Sequence, residues 1–456
     1  MMFRQNGEHM LRKGIFILAH QCGDPSFYSV YNKTVRNQWK PYDELKHDQE
    51  KQLKHLIGFA YEFVPYYRNL FQSLGVSPKD VRTIEDLEKL PILTKDIIKE
   101  HWEEFKPTNL SSIKHYQRAT GGSTGTPLQY RLSKNDRFLG GALLYRGWGY
   151  GGFKLGNKMV ILAGSSLDVG AKPSLVTKIH EISRSLKKLS SFDMGESEMR
   201  EYAGVLKSFK PRFISGYASS LYFFARWLEE NQVTVPSPVA VFATAEKLFP
   251  HMRKTIGEVF DCDVYDTYGL NDGGVTAFEC PEHIGLHVDT ERSIMEVVDG
   301  DGHQLECGEG RILATSLHNY AMPFIRYACD DEGGITDETC ECGRGYPLLK
   351  EIVGRTTDVL VTPDGKNIHG WFFLYIFWDY GTGIKEYQVI QKTPERIVVN
   401  IVPEDGFDEK QLDRVRDIVS RRSPGWDLEF EYVDTIERTG AGKYKFVINE
   451  VCHAGE

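Results

Sequence analysis

Early in the chain, apolar positions recur at helical spacing. Leu53, Leu56, Ile57, Phe59, Ala60, Phe63 and Val64 share one face, and Pro65 follows at once. This predicts helix over 43–71 with a stop at the proline. A Thr-Ile-Glu-Asp start at Thr83 predicts a short helix to Leu90, and Lys95 to Glu104 reads as another. From residue 113 the texture changes to short β-rich runs alternating with helical patterns. Lys158–Ala163, Arg212–Gly216, Val239–Thr244 and Asp263–Thr267 read as strands. Met199–Phe209, Ser219–Glu230 and a segment ending at Phe260 read as helices. Such alternation predicts α/β layers around a mostly parallel sheet. After about 285 strands dominate, as in Gly310–Ser316, which suggests a β-rich subdomain.

The pattern predicts a boundary near Gly354. Beyond it come a strand over Val359–Thr362, the turn Pro363-Asp-Gly-Lys366, and then strand Arg396–Val402, helix Asp408–Ser420 and strand Asp427–Val433. That is a small α+β domain. The expected organisation is a large body over 1–353, a hinge at 354–358 and a C-terminal lid over 359–456.

Length agrees with this division. The 456 residues suggest two or three domains at about 150 residues each. Hydrophobic residues at 41% and charged residues at 26% describe an ordinary globular chain rather than a disordered one. A balance of 55 basic against 64 acidic side chains gives −9, which argues against a nucleic-acid binder. The apolar run Gly14–Ala19 is far short of the ~20 residues that span a bilayer. No signal peptide or membrane span is expected, and eight scattered cysteines suit a reducing, cytoplasmic setting. Glycine, at 43 against 19 prolines, is in excess, so its clusters matter.

Thr120-Gly-Gly-Ser-Thr-Gly-Thr-Pro127 packs three glycines and four hydroxyl residues into eight positions. Free backbone N–H groups and hydroxyl donors suit phosphate. A Walker A loop would carry a lysine before its Ser/Thr, and none is present. Ala243-Thr-Ala-Glu-Lys-Leu248 and Tyr265-Asp-Thr-Tyr-Gly-Leu-Asn-Asp-Gly-Gly274 end two predicted strands, where open α/β sheets bind ligands. An aromatic there can stack on a base and an acid can hold Mg²⁺. Pro323-Phe-Ile-Arg-Tyr-Ala-Cys-Asp-Asp331, Gly354-Arg-Thr-Thr-Asp358 and Arg438-Thr-Gly-Ala-Gly-Lys443 follow in order. Taken singly, each reads equally as a turn, a strand end or a solvated lysine.

Together, and in this order, the six segments resemble the AMP-forming adenylating ligases, the acyl-CoA synthetase superfamily. With the phrases "AYEFVPYYRNLF" and "EDLEKLPILTKD", they resemble most its phenylacetate–CoA ligase branch and the CapK-type capsular polysaccharide members. The likeness runs from about 45 to 450. It implies an adenylating body with a mobile C-terminal domain pivoting at Thr357–Asp358, and ATP and Mg²⁺ as cofactors. It implies that Thr120, Ser123, Thr124 and Gly125 grip the ATP phosphates, and that Ala245, Glu246 and Lys247 line the adenine. Tyr268 and Gly269 lie against the adenine ring, Asn271 donates to phosphate, and Asp272 takes the Mg²⁺-holding place. Asp331 and Arg355 reach the ribose, and Lys443 bridges carboxylate and α-phosphate. The family's Y-G-x-[TS]-E reads Y-G-L-N-D here, and the glycine of R-Y-x-x-G-D is Asp330.

Cys280, His287, Cys340 and Cys342 form a tetrahedral zinc set by residue type, structural rather than catalytic. His283 rivals His287, and Cys329 or Cys307 rivals the other thiols. Some phenylacetate–CoA ligase relatives look similar here and carry structural zinc. For the substrate acid, Tyr217, Ala218, Ser219, Trp148 and Tyr150 are candidate pocket walls, with packing as the plain alternative for the two aromatics. An aryl, sugar or other carboxylic acid fits, and the acceptor is a thiol such as CoA, or an amine. Oligomerisation is left open. Three readings stand: a CapK-type activating enzyme, an aryl- or acyl-CoA ligase, and a non-catalytic nucleotide-binding scaffold.

Overall fold

Strand–helix alternation is realised as one eleven-stranded sheet in the computed structural model. The structure describes residues 2–119, 128–163, 175–191, 194–355, 359–364, 367–369, 372–373, 376–377, 381–438 and 444–451. The chain divides into two units, Met1–Val353 and Gly354–Glu456.

The first unit opens on helices α1 (Met2–Gln21), α2 (Phe27–Asn37), α3 (Tyr42–Phe63) and α4 (Pro65–Leu74). Pro65 ends α3 and starts α4, because proline lacks the N–H a helix interior needs but fits the first turn. The sequence at Thr83–Leu90 makes only a 3₁₀ turn, Glu85–Lys89, and the segment from Lys95 is helical as far as Glu100 (α5). Strands β1 (His115–Ala119) and β2 (Gln129–Ser133), on either side of residues 120–127, pair antiparallel. Helix α6 (Lys134–Trp148) follows.

The parallel half of the sheet is β3 (Met159–Leu162), β4 (Leu186–Leu189), β5 (Phe213–Tyr217), β6 (Ala240–Thr244) and β7 (Asp263–Gly269). Its helices are α7 (Leu175–Ser183), α8 (Glu196–Phe209), α9 (Ala218–Glu230) and α10 (Pro250–Phe260). From β7 onward the sheet turns antiparallel through β8 (Thr276–Glu279) and β9 (Leu286–Val288). It ends in β10 (Ser293–Val298), β11 (Gly308–Ser316), β12 (Tyr327–Thr336) and β13 (Leu348–Arg355). The strands after 285 therefore extend the main sheet rather than forming one of their own. The spatial order is β10-β11-β12-β13-β9-β8-β7-β6-β5-β3-β4.

Two cores hold this body. Leu53, Leu56, Tyr67 and Phe71 of α3 and α4 pack against Val288, Ile294 and Tyr327 of the antiparallel half. Phe16 and Phe27 of α1 and α2 pack with Trp148, Phe213, Phe242 and Tyr265. Each fully buried large side chain is worth about 1.5–3 kcal/mol. Trp148 belongs to the second of these cores and Tyr150 to a smaller one with Phe278, Cys280, Cys340 and Leu348, so packing rather than a pocket wall describes them. Buried ion pairs Arg146–Asp289, Arg292–Asp136 and Arg326–Glu296 cross-brace α6 and the strands.

The second unit pairs β14 (Val359–Val361) with β15 (Asn367–His369). Its main sheet holds β16 (Ile384–Gln391), β17 (Arg396–Pro403), β18 (Asp427–Tyr432) and β19 (Val447–Asn449), in the order β18-β17-β16-β19. Helix α11 (Lys410–Arg422) buries Leu412, Val415 and Val419 against Val389, Val399 and Ile401.

Candidate functional site

Strand ends supply the functional side chains of the first unit. At the end of β6, Ala245 takes a left-handed backbone (φ +67°), costly for a residue with a Cβ. The turn aims Glu246 at the start of α9, where its Oε2 accepts from the Ser219 N–H at 2.9 Å. Glu246 thus caps a helix N-terminus, where the macrodipole favours an anion. Lys247 runs inward, 3.5 Å from Glu351 Oε2, and burial lowers its pKa to about 8.

At the end of β7, the Tyr268 hydroxyl donates to Asp331 Oδ2 at 2.8 Å. Burial and that carboxylate push the phenol well above its usual pKa, so it stays a donor. Asp272 Oδ2 accepts from the Tyr327 hydroxyl at 2.9 Å. The two acids expected to face ATP, Asp272 and Asp331, are therefore each oriented by a tyrosine. Asp331 is 6% exposed.

Its neighbour Asp330 goes elsewhere. Asp330 has a left-handed backbone (φ +65°) and is ion-paired to Lys95. Leu93 lies beside Tyr327 in a parallel bridge, which brings Lys95 within reach. The double acid at 330–331 is thus split, one for Lys95 and one for Tyr268. Arg326 in the same segment is structural: it pairs with Glu296 and donates to the Leu90 and Gly302 carbonyls. Tyr327 and Lys95 had no assigned role from sequence, although both lie inside the quoted segments.

Gly269 and Asn271 sit beside Tyr268 at the close of β7, and Arg355 closes β13. Thr120, Ser123, Thr124, Gly125 and Lys443 lie outside the described residues, as do Thr357 and Asp358 of the expected hinge. Tyr217 ends β5, and Ala218 and Ser219 are buried in the first turn of α9.

A second cluster forms where β8 and β9 meet the 340–342 turn. The ligand atoms of Cys280, His287, Cys340 and Cys342 all lie within 4.8 Å of one another. Cys280 Sγ is 3.6 Å from Cys340 Sγ, and Cys342 Sγ is 3.3 Å from His287 Nε2. With Zn–S near 2.3 Å and Zn–N near 2.0 Å, a tetrahedron has edges of roughly 3.5–3.8 Å, so the set fits zinc. Gly343 (φ +79°) lets the chain turn back at once after Cys342. The rivals are placed elsewhere. His283 pairs with Glu279, Cys329 Sγ donates to the Ile312 carbonyl, and Cys307 is exposed.

Comparison with known proteins agrees with this architecture. Residues 360–450 match the CapK C-terminal domain family. Phenylacetate–coenzyme A ligase from Thermus thermophilus is 29% identical over 355 residues, covering 72% of this chain and 74% of that protein. Protein CapK from Staphylococcus aureus is 22% identical, covering 88% and 89%. The crystal structure of 2-hydroxyisobutyryl-CoA ligase in the postadenylation state with R3-HIB-AMP superposes with a TM-score of 0.72 at 20% identity, covering 91% of each chain, which establishes the shared fold. In sequence the chain is similar to phenylacetate–coenzyme A ligases and CapK, and it shares its fold with an AMP-forming adenylating ligase. Its likeness runs to both the phenylacetate–coenzyme A ligases and CapK, with the CapK resemblance extending through the C-terminal unit.

Proposed function

We propose that the chain activates a carboxylic acid with ATP as an acyl-adenylate, releases pyrophosphate, and then passes the acyl group to an acceptor in a CapK-type reaction of surface-polysaccharide assembly. The observation that carries this reading is the pair of tyrosine-held acids, Tyr268–Asp331 and Tyr327–Asp272, brought together by β7, the turn after it and β12. A carboxylate is a poor electrophile, and attack on the α-phosphorus gives it an AMP leaving group. The work left to the protein is orientation and charge neutralisation.

Asp331 and Arg355 fix the ribose hydroxyls, and Ala245, Glu246, Lys247, Tyr268 and Gly269 border the base. The 120–127 loop holds the β- and γ-phosphates, with Asn271 as a further donor. Asp272 would hold Mg²⁺, which supplies neutralising charge to the phosphates when bound. Lys443 bridges the attacking carboxylate and the α-phosphate. The unit beyond 354 then pivots at Thr357–Asp358, withdrawing Lys443 so that a thiol or amine attacks the acyl carbon and AMP leaves. Cys280, His287, Cys340 and Cys342 hold a structural zinc.

The CapK assignment is supported by the match over 360–450 and by similarity along 88% of the chain. A second reading, an aryl- or acyl-CoA ligase, is favoured by the 29% identity to a phenylacetate–coenzyme A ligase. A hydroxylamine-trapping screen over aryl, fatty, amino and uronic acids, with CoA and amines as acceptors, separates them. Hydroxamate with a uronic or other polar acid, and turnover with an amine but not CoA, is the expected result. Aryl-acid turnover that requires CoA would replace the CapK reading.

A further inference from the structure

Helix α1 presents an apolar stripe that no described residue covers. Met10, Leu11, Ile15 and Leu18 are 66%, 65%, 43% and 64% exposed. The other side of the helix is satisfied, since Phe16 and His20 are buried and stack with each other. Helix α7 packs beside α1, with Arg184 Nε donating to His20 Nε2 at 3.3 Å, and adds Ile179 (58% exposed) and Ile182 (75%). Each of the six contributes on the order of 100 Å². Together they offer roughly 600 Å² per protomer, most of the ~800 Å² per partner in a standard interface.

The stripe has a register of its own. Gly7, Leu11, Gly14 and Leu18 recur at 4-3-4 spacing, the seam of a helix packed on another helix. Among the described residues, and apart from the helix's own neighbouring backbone, no atom lies within 4 Å of where a Cβ would stand at Gly7 or Gly14. Glycine weakens a helix interior, and no close approach among the described residues needs these two. An antiparallel copy of α1, with its two-fold axis between Arg12 and Lys13, sets Leu11 opposite Gly14, Leu18 opposite Gly7 and Met10 opposite Ile15. Both leucines then face a glycine, and the contact is self-complementary, as a two-fold dimer requires. One edge of the stripe is closed by the Arg12–Glu8 ion pair, not by the lysine-rich border that an anionic lipid surface selects.

We propose that a second copy of this chain docks on this face, making a homodimer through antiparallel α1 helices with α7 at the flanks.

Light scattering on the full chain tests it. The expected mass at tens of micromolar is twice the 52.1 kDa of one chain. Leu11→Glu and Gly14→Leu should each halve it with circular dichroism and melting unchanged, because both positions are exposed. Register is read separately in a Cys22→Ser, Cys307→Ser background. Leu11→Cys mixed with Gly14→Cys should cross-link faster than either variant alone. A monomeric wild type, a dimer indifferent to Gly14→Leu, or faster cross-linking of Leu11→Cys with itself would overturn the proposal. So would a monomer that co-sediments with anionic vesicles and loses this in Leu11→Glu.

Discussion

Between β7 and β12, two acids are held in place by phenol hydroxyls, while between β8, β9 and the 340–342 turn four metal-type side chains converge on one another. The first region is built on strand ends, with left-handed backbones at Ala245 and Asp330 and titratable groups near neutral pH. The second has Cys280, His287 and Cys340 buried and all four donors aimed at one another. A site that must take and release a substrate keeps its acids pre-oriented by protein donors, so they need no ligand to stay put. A cluster with four inward donors and no open position suits a structural metal rather than a substrate, and a metal there would tie three segments of one sheet together.

Variants that separate the two regions test this contrast. Lys443→Ala should lower adenylation roughly 10²–10³-fold, the usual effect of removing one charge-stabilising group, while leaving metal content unchanged. Cys340→Ser should do the reverse. It should lose the metal by elemental analysis and about 3 kcal/mol or more of stability by chemical unfolding, yet adenylate normally while folded. If Cys340→Ser instead removes adenylation at a temperature where it is folded, the two regions are not independent. Tyr268→Phe deletes the donor to Asp331, a hydrogen bond to a charged group worth about 1.5–3 kcal/mol. The account expects KM for ATP to rise at least ~10-fold with kcat little changed. A fall in kcat at constant KM would mean that the tyrosine serves the transition state instead.

The smallest effect is in pH. Burial, then Glu279, pushes the Asp266 carboxyl up to about 7. A group whose folded pKa is raised contributes its stability below the ordinary carboxylate range and loses it as pH rises through about 7. Stability should therefore fall as pH rises from about 4 to 7, burial and Glu279 outweighing the opposing charges of Arg253 and Lys247. Asp266→Asn should flatten that slope, as measured by urea unfolding at several pH values. An unchanged slope would place the titration elsewhere.

Much of this was legible in sequence because the signals were local. The strands at 212–216, 239–244 and 263–267 and the helices between them follow from periodicity. Helix α6 did not, since Gly140, Gly141 and Gly147 break the pattern. Their reason is tertiary: a Cβ on Gly147 would stand 2.2 Å from the Phe278 ring. The Tyr327–Asp272 and Lys95–Asp330 contacts were equally hidden, because each joins segments far apart in the chain. For the cluster, residue types nominated five cysteines and two histidines. The choice among them depends on His283 turning away at a left-handed φ of +53° to meet Glu279, which spacing alone does not reveal.

Acid-dependent exchange of labelled pyrophosphate into ATP tests the central claim most directly, because it needs no acceptor. The account predicts exchange with at least one acid of the aryl, fatty, amino or uronic series, dependent on Mg²⁺ and abolished in Asp331→Ala. Nucleotide binding by the folded, metal-loaded protein with no exchange for any acid would contradict it, and would leave a non-catalytic nucleotide-binding scaffold.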